Sequence, residues 1–259
     1  MLQQELDSLL ADLPTEFDLT AIAKRALPLL DLTSLNHDDT NDVIRALCQK
    51  AVTPFGHVAA VCVYPQFVKV ARESLSGTSV HIATVANFPS GQQKLSEIIT
   101  CVQQTITDGA DEIDVVIDYR DVLAGHQERS AEIVSTCKKV CGDHVHLKVI
   151  LETSELKDPK LIAMASANAI KSGADFLKTS TGKVEINATL EAAAIMLLAS
   201  KGHQSHIGFK AAGGVRTTAQ AAPYLALADR ILGAAWVTPD HFRFGASSLL
   251  DDILKILGQ

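Results

Sequence analysis

The chain has 259 residues, of which 47% are hydrophobic and 20% are charged, and its formal net charge at pH 7 is -7. This length is typical of one α/β domain, and it is enough to bury a large core. The acidic balance argues against nucleic-acid binding, because that function needs a clustered excess of Lys and Arg. No apolar run reaches the roughly 20 residues that a membrane-spanning helix needs.

The five cysteines indicate a reducing compartment. They form no CxxC pair, and several lie in apolar segments, as buried reduced thiols do. The N-terminal segment, MLQQELDSLLADLPTEF, is acidic and lacks the basic and apolar regions of a signal peptide. We therefore expect a cytoplasmic protein that binds neither nucleic acid nor a membrane.

Eight apolar runs of strand length alternate with segments of helical periodicity. Their near-continuous Val, Ile and Leu content is typical of parallel strands that are covered on both faces. Eight such units in about 200 residues favour a closed (β/α)8 barrel over an open, doubly wound sheet. The predicted strands are residues 58–64, 80–88, 112–117, 146–151, 174–180, 206–214, 229–234 and 242–248.

The first 50 or so residues precede the first predicted strand, and their pattern is helical. We expect this N-terminal extension to form a lid or plug on the barrel. No Pro-rich or Ser-rich linker interrupts the chain. Residues 1–259 are therefore predicted to form a single α/β domain.

Four predicted strands carry a charged side chain inside an apolar run: Asp114, Lys148, Lys178 and Lys210. An isolated charge is costly to bury, so such groups form pairs or shift their pKa. Lys178 and Lys210 lie late in neighbouring strands, at the end where barrel enzymes place their active sites. Two ammonium groups several Å apart lower each other's pKa, and a lysine with a lowered pKa can attack a carbonyl.

This pattern predicts an active site with an amine nucleophile, in which Asp114 transfers protons. The alternative is that the four charges only stabilise the barrel. Three lysines against one aspartate would be an unusual arrangement for that purpose alone.

Three glycine-containing loops follow the fifth, sixth and eighth predicted strands. Glycine allows backbone N–H groups to approach an anion closely, and barrel enzymes often bind phosphate after their later strands. Each loop by itself is explained as well by ordinary turn formation, but three loops on one face favour a phosphate site. The candidate phosphate-binding residues are Gly182, Lys183, Gly213, Gly214, Arg216, Gly245, Ser247 and Ser248.

The same segments resemble the deoxyribose-phosphate aldolase family. The resemblance covers nearly the whole chain after about residue 20, and its most specific motifs are K-T-S-T-G at 178–182, G-F-K at 208–210 and G-G-V-R at 213–216. It implies reversible cleavage of 2-deoxy-D-ribose 5-phosphate to acetaldehyde and D-glyceraldehyde 3-phosphate, with no metal and no other cofactor. It also implies a homodimer.

The resemblance implies individual roles as well. Lys178 would be the Schiff-base lysine, Lys210 the neighbour that lowers its pKa, and Asp114 part of a proton relay. Lys148 would also lie in the pocket near the substrate and would position a water molecule or Asp114. Four further residues are expected near the substrate: Asp31, Thr33, Cys62 and Thr181.

Two other functions stay open at this point. The first is a Schiff-base aldolase or transaldolase that acts on another phosphosugar through the same lysine. The second is a non-catalytic barrel that binds a phosphosugar without forming an imine. A metal site is not predicted, because His144 and His146 alternate along one strand without a matching third ligand.

Overall fold

The computed structural model describes residues 2–203 and 206–258. Eight parallel strands close into a barrel, in which each strand pairs with the next along the chain and β8 pairs with β1. The predicted (β/α)8 barrel is therefore confirmed. The strands are Leu30–Thr33 (β1), Ala60–Val63 (β2), His81–Ala86 (β3), Glu112–Val116 (β4), His146–Ile150 (β5), Phe176–Lys178 (β6), Gly208–Ala212 (β7) and Phe242–Ala246 (β8).

Helices connect the strands and form the outer layer of the barrel. Several begin where a side chain accepts hydrogen bonds from the free N–H groups of the first turn, as Asp18, Thr40 and Thr217 do. Within the described ranges, no helix combines the length and apolarity needed to cross a bilayer. The helices are Leu2–Ala11 (α1), Leu19–Ala26 (α2), Asn41–Ala51 (α3), Val68–Ser74 (α4), Leu95–Thr107 (α5), Tyr119–Leu123 (α6), Glu128–Cys141 (α7), Thr153–Leu156 (α8), Pro159–Lys171 (α9), Leu190–Gly202 (α10), Thr218–Leu232 (α11) and Leu249–Leu257 (α12).

Each strand alternates between two environments, because successive side chains point to opposite faces of a sheet. In β2, Val61 packs in the large apolar core between strands and helices, whereas Cys62 belongs to a small cluster inside the barrel. In β4, Ile113 packs in the outer core, and Asp114 contacts lysines from other strands across the interior. The charges found in the apolar runs therefore converge inside the barrel.

One predicted strand is wrong, and one strand of the barrel was not predicted. The first barrel strand is Leu30–Thr33, which lies inside the segment predicted to be helical. Conversely, residues 229–234, predicted as the seventh strand, form the end of α11, Gly233 and the first residue of a short 3-10 helix, Ala234–Trp236. A strand and the end of a buried helix cannot be told apart from a short apolar run alone. The number of predicted strands is therefore correct, although one of them lies in the wrong segment.

The N-terminal extension joins the outer layer and does not cover the barrel as a lid or plug. Helix α1 packs against α10, and α2 packs against α11 and α12. Two nitrogens of the Arg25 guanidinium donate to the Asp229 carboxylate at 2.8 and 2.7 Å. Arg230 pairs with Asp12 at 2.5 Å. Within the extension, α1 and α2 precede β1 and α3 follows it.

Candidate active site

A cavity of about 300 Å³ opens at the carboxyl ends of β1, β6, β7 and β8. Barrel enzymes place their active sites at this face. The cavity is lined by Lys178, by Thr33 and Thr181, and by every residue predicted to bind phosphate: Gly182, Lys183, Gly213, Gly214, Arg216, Gly245, Ser247 and Ser248. Leu35, Asn36 and Asn187 also line it and were not predicted.

The loops around this cavity suit an oxyanion. Gly213 has a φ of 77°, and a Cβ atom there would lie 2.7 Å from the Asn187 side chain, so the loop needs glycine at this position. Ser247 and Ser248 directly precede α12, whose N-terminal N–H groups favour a negative charge. The Lys183 ammonium donates to the Leu35 carbonyl at 2.5 Å, which places a cation at the cavity wall.

The Lys178 amine lies at the floor of the cavity, where the residue is only 3% exposed. Its Nζ contacts Asp114 Oδ2 at 2.6 Å, and the same oxygen contacts Lys210 Nζ at 2.8 Å. Burial lowers the pKa of Lys178; Asp114 opposes this effect and the Lys210 charge adds to it. At neutral pH, the free-amine fraction of Lys178 is therefore larger than that of an exposed lysine.

Asp114 and Lys210 remain charged beside it. Burial by itself would raise the pKa of Asp114, but the ammonium groups of Lys178, Lys210 and Lys148 lower it below its ordinary value. Burial would likewise lower the pKa of Lys210, but Asp114 and Asp31 raise it. Lys210 is thus a permanent cation next to Lys178.

A closed ring of alternating acids and bases, which we call the charge ring, fills the barrel interior below Lys178. Every member is at most 2% exposed. Because the ring holds equal numbers of carboxylates and cations, it is neutral when all of them are charged. The successive contacts are Asp114–Lys210 at 2.8 Å, Lys210–Asp31 at 2.5 Å, Asp31–Arg243 at 2.7 Å, Arg243–Glu112 at 2.8 Å, Glu112–Lys148, and Lys148–Asp114 at 3.3 Å.

Three residues predicted near the substrate do not line the cavity. Asp31 and Lys148 are members of the charge ring and lie deeper in the barrel. Cys62 lies in the small apolar cluster of the interior, where burial raises the pKa of its thiol. These side chains contribute to the charge and packing beneath the cavity floor.

Two members of the charge ring, Glu112 and Arg243, were not predicted from the sequence. The signal that identified Asp114 was present for both, since each is a charge inside an apolar strand, in E-I-D-V-V and F-R-F-G-A. Glu112 stands at the first position of β4, where a charge is easily taken for the solvated end of a strand.

Glu152 is a further residue that the sequence did not indicate. Only Leu151 separates it from the end of β5. Its φ of 51° is unusual for a residue other than glycine. This conformation directs the buried carboxylate at Thr181, whose hydroxyl donates to Glu152 at 2.6 Å. The N–H of Thr181 donates to the same carboxylate at 3.3 Å. Glu152 thereby holds a residue of the cavity wall.

Solved structures of similar fold include aldolases from three organisms. A protein assigned as a deoxyribose-phosphate aldolase of Toxoplasma gondii is 26% identical with a TM-score of 0.85, and the match covers 92% of this chain and 95% of that chain. One from Coccidioides immitis is 25% identical with a TM-score of 0.77, covering 96% and 95%. The Aeropyrum pernix enzyme, described as tetrameric, is 25% identical with a TM-score of 0.69, covering 100% and 97%.

The family match extends over most of the chain. Residues 25–255 match the family model of the DeoC/LacD aldolases, a span that includes the whole barrel and the candidate site. The aldolase motifs around Lys178 and Lys210 lie within this span. The chain therefore belongs to the DeoC/LacD family of aldolases.

Proposed function

We propose that the chain is a class I aldolase that reversibly cleaves 2-deoxy-D-ribose 5-phosphate to acetaldehyde and D-glyceraldehyde 3-phosphate. The observation that carries this proposal is the position of Lys178. Its amine, with a pKa lowered by burial, lies at the floor of a cavity whose walls suit a phosphate. A phosphate held at the wall would direct the aldehyde end of an open-chain sugar toward this amine.

The reaction follows from an amine in this position. The free amine of Lys178 attacks C1 of the aldehyde, and loss of water leaves a protonated imine. When the 3-hydroxyl loses its proton, the C2–C3 bond breaks, and its electron pair moves into the imine to form an enamine. D-Glyceraldehyde 3-phosphate leaves, C2 is protonated, and hydrolysis of the imine releases acetaldehyde and free Lys178.

The neighbouring side chains have proposed roles in these steps. Asp114 lies 2.6 Å from Lys178, so it is placed to relay protons to and from the reacting atoms. Lys210 shares the same carboxylate oxygen, and its fixed charge favours the neutral form of Lys178. Lys148 holds the other oxygen of Asp114 at 3.3 Å.

The first experiment is to trap the imine. The protein is incubated with acetaldehyde, reduced with borohydride and mapped by peptide mass spectrometry, and a two-carbon adduct is expected on Lys178. Lys178→Met should abolish the adduct, while Lys183→Met, which changes a lysine at the cavity wall, should retain it. An adduct on another lysine, or substrate binding without any adduct, would contradict the proposal.

A substrate comparison separates the proposed reaction from an aldolase for another phosphosugar. 2-Deoxyribose 5-phosphate should be cleaved efficiently, whereas ribose 5-phosphate, which carries the additional 2-hydroxyl, should be a poor substrate. Equal rates with both sugars, or a clear preference for the second, would favour the alternative substrate class.

We further propose that residues 1–259 form one domain, and that the enzyme acts in the cytoplasm as a homo-oligomer. All five cysteines carry free thiols, which is compatible with a reducing compartment. The Aeropyrum pernix relative is described as tetrameric. Light scattering coupled to size exclusion should give a mass of two or more chains, and a monomer at micromolar concentration would contradict this assembly.

A further inference from the structure

The charge ring and Lys178 together form an electrically unbalanced cluster. The ring is neutral in itself, and Lys178 joins it only through Asp114 among the ion pairs of the described residues. A proton on Lys178 therefore gives the whole buried cluster one net positive charge. In a poorly solvated interior, such an uncompensated charge is costly.

Asp31, Glu112 and Arg243 keep their charges at neutral pH. Burial would raise the pKa of Asp31 and of Glu112, but the surrounding cations lower both below the ordinary range. Burial would lower the pKa of Arg243, but Asp31 and Glu112 raise it. These charges are thus constant in this range, whereas burial lowers the pKa of Lys178, so that Lys178 can release a proton.

Glu112 and Arg243 belong to the ring but not to the substrate cavity. Arg243 lines a separate cavity of about 530 Å³ at the amino ends of the strands, on the opposite side of the barrel. We propose that Glu112 and Arg243 are positioning residues that keep the charge ring neutral and thereby set the fraction of Lys178 present as the free amine. The proposal rests on the proposed Schiff-base function of Lys178.

Other titratable groups face this cluster, and their titrations must be distinguished from that of Lys178. Cys62 and Glu152 lie near Lys178, together with Asp114 and Lys210. At the amino end of the barrel, His81 Nδ1 lies 3.0 Å from Glu112 Oε1.

Histidine titration at that end is the main complication. Its hydrogen bond to Glu112 raises the pKa of His81, whereas burial lowers the pKa of the half-buried His146 in β5. Measuring each ring variant also in a His81→Gln background removes the nearer of these two titrations.

The test measures Lys178 directly, not through turnover. Trace labelling with acetic anhydride at a series of pH values, followed by peptide mapping, gives the pH midpoint of the Lys178 amine. For unit charges roughly 10 Å apart at an effective dielectric constant near 20, the interaction corresponds to about one pKa unit. Glu112→Gln leaves the ring positive, so the midpoint should fall by about one pH unit.

Arg243→Gln leaves the ring negative, so the midpoint should rise by about the same amount. The double variant Glu112→Gln/Arg243→Gln restores neutrality and should return the midpoint close to that of the unmodified protein. Arg243→Lys keeps the charge at the same place and serves as the matched control, with an expected shift well below that of Arg243→Gln.

A purely structural role predicts a different result. Loosening the barrel would admit water, which relieves the burial of Lys178 and raises the midpoint in every variant. A rise or no change in Glu112→Gln therefore overturns the proposal. Arg243→Gln rises under both roles, so the decision rests on Glu112→Gln. If Glu112→Gln does not fold, the double variant decides, because the proposal expects a midpoint close to that of the unmodified protein and a structural role expects a rise.

The acetaldehyde trap distinguishes the two failures. If the unmodified protein forms no adduct on Lys178, the proposed function fails. If the unmodified protein and the variants all form the adduct while their midpoints do not diverge, only the role of Glu112 and Arg243 is refuted.

Discussion

At the scale of single residues, Glu152 connects backbone strain to the cavity wall. A residue other than glycine at a φ of 51° costs roughly 1–3 kcal/mol, and it persists only where the surroundings maintain it. Here the strain accompanies two hydrogen bonds from Thr181, the residue immediately before Gly182 and Lys183. Hydrogen bonds to an ionised carboxylate are about twice as strong as neutral ones.

Glu152→Gln should therefore weaken the phosphate site. Loss of about 1 kcal/mol of charge-assisted bonding to Thr181 corresponds to a roughly fivefold higher KM for 2-deoxyribose 5-phosphate, with a smaller change in kcat. The KM for unphosphorylated 2-deoxyribose should change little. The half-buried Glu155, in the following helix, supplies the control Glu155→Gln, and equal effects of both variants on both sugars would contradict this role.

At the scale of elements, the absence of a side chain at Gly208 shapes the packing of β6 against β7. A Cβ atom at Gly208 would lie 2.4 Å from the ring of Phe176, which is 1% exposed in the barrel interior. That ring also contacts the charge ring, since Lys148 and Arg243 lie 5.6 and 5.8 Å from its centroid. A methyl group at 208 would therefore displace an aromatic ring beneath the active site.

Gly208→Ala should lower the free energy of unfolding by about 1–3 kcal/mol, because the packed interior has no room for the added atom. Urea denaturation measures this change. Gly202→Ala, at the end of α10 with no atom within 4 Å of the added Cβ, is the matched control and should be neutral or slightly stabilising. Similar losses in the two variants would show that the contact with Phe176 is not the cause.

At the scale of the whole molecule, the charge ring links stability to pH. The pKa values of Asp31, Glu112 and Asp114 are lowered in the folded protein. A carboxyl with a lowered folded pKa stabilises the fold above its unfolded pKa of about 4, and this contribution is lost as the pH falls toward its folded pKa. The free energy of unfolding should therefore fall steeply below about pH 4.

Urea denaturation between about pH 6 and about pH 3 measures this dependence. Glu112→Gln removes one of the linked carboxyls and should give a shallower acid slope. Asp42→Asn breaks an exposed pair with Arg45 and should leave the slope unchanged. An identical slope in the unmodified protein and in Glu112→Gln would place the acid sensitivity outside the charge ring.

Local features of the sequence were sufficient for the class of fold and for the centre of the site. Alternating strand and helix patterns predict a parallel barrel, because a continuous apolar strand must be covered on both faces. Charges inside such strands identify Asp114, Lys148, Lys178 and Lys210, because an isolated charge is too costly to bury without a partner. Both rules act over a few residues, so they can be read along the chain.

Only the tertiary structure decided how those parts combine. Whether Leu30–Thr33 or residues 229–234 completed the barrel depended on which segment could pair with β8, since both are short apolar runs. The closure of the charge ring likewise depended on strand register, which places Arg243 beside Lys210 and Asp114 beside Lys148. Such pairings join residues distant in sequence, and their energy exists only once the barrel has closed.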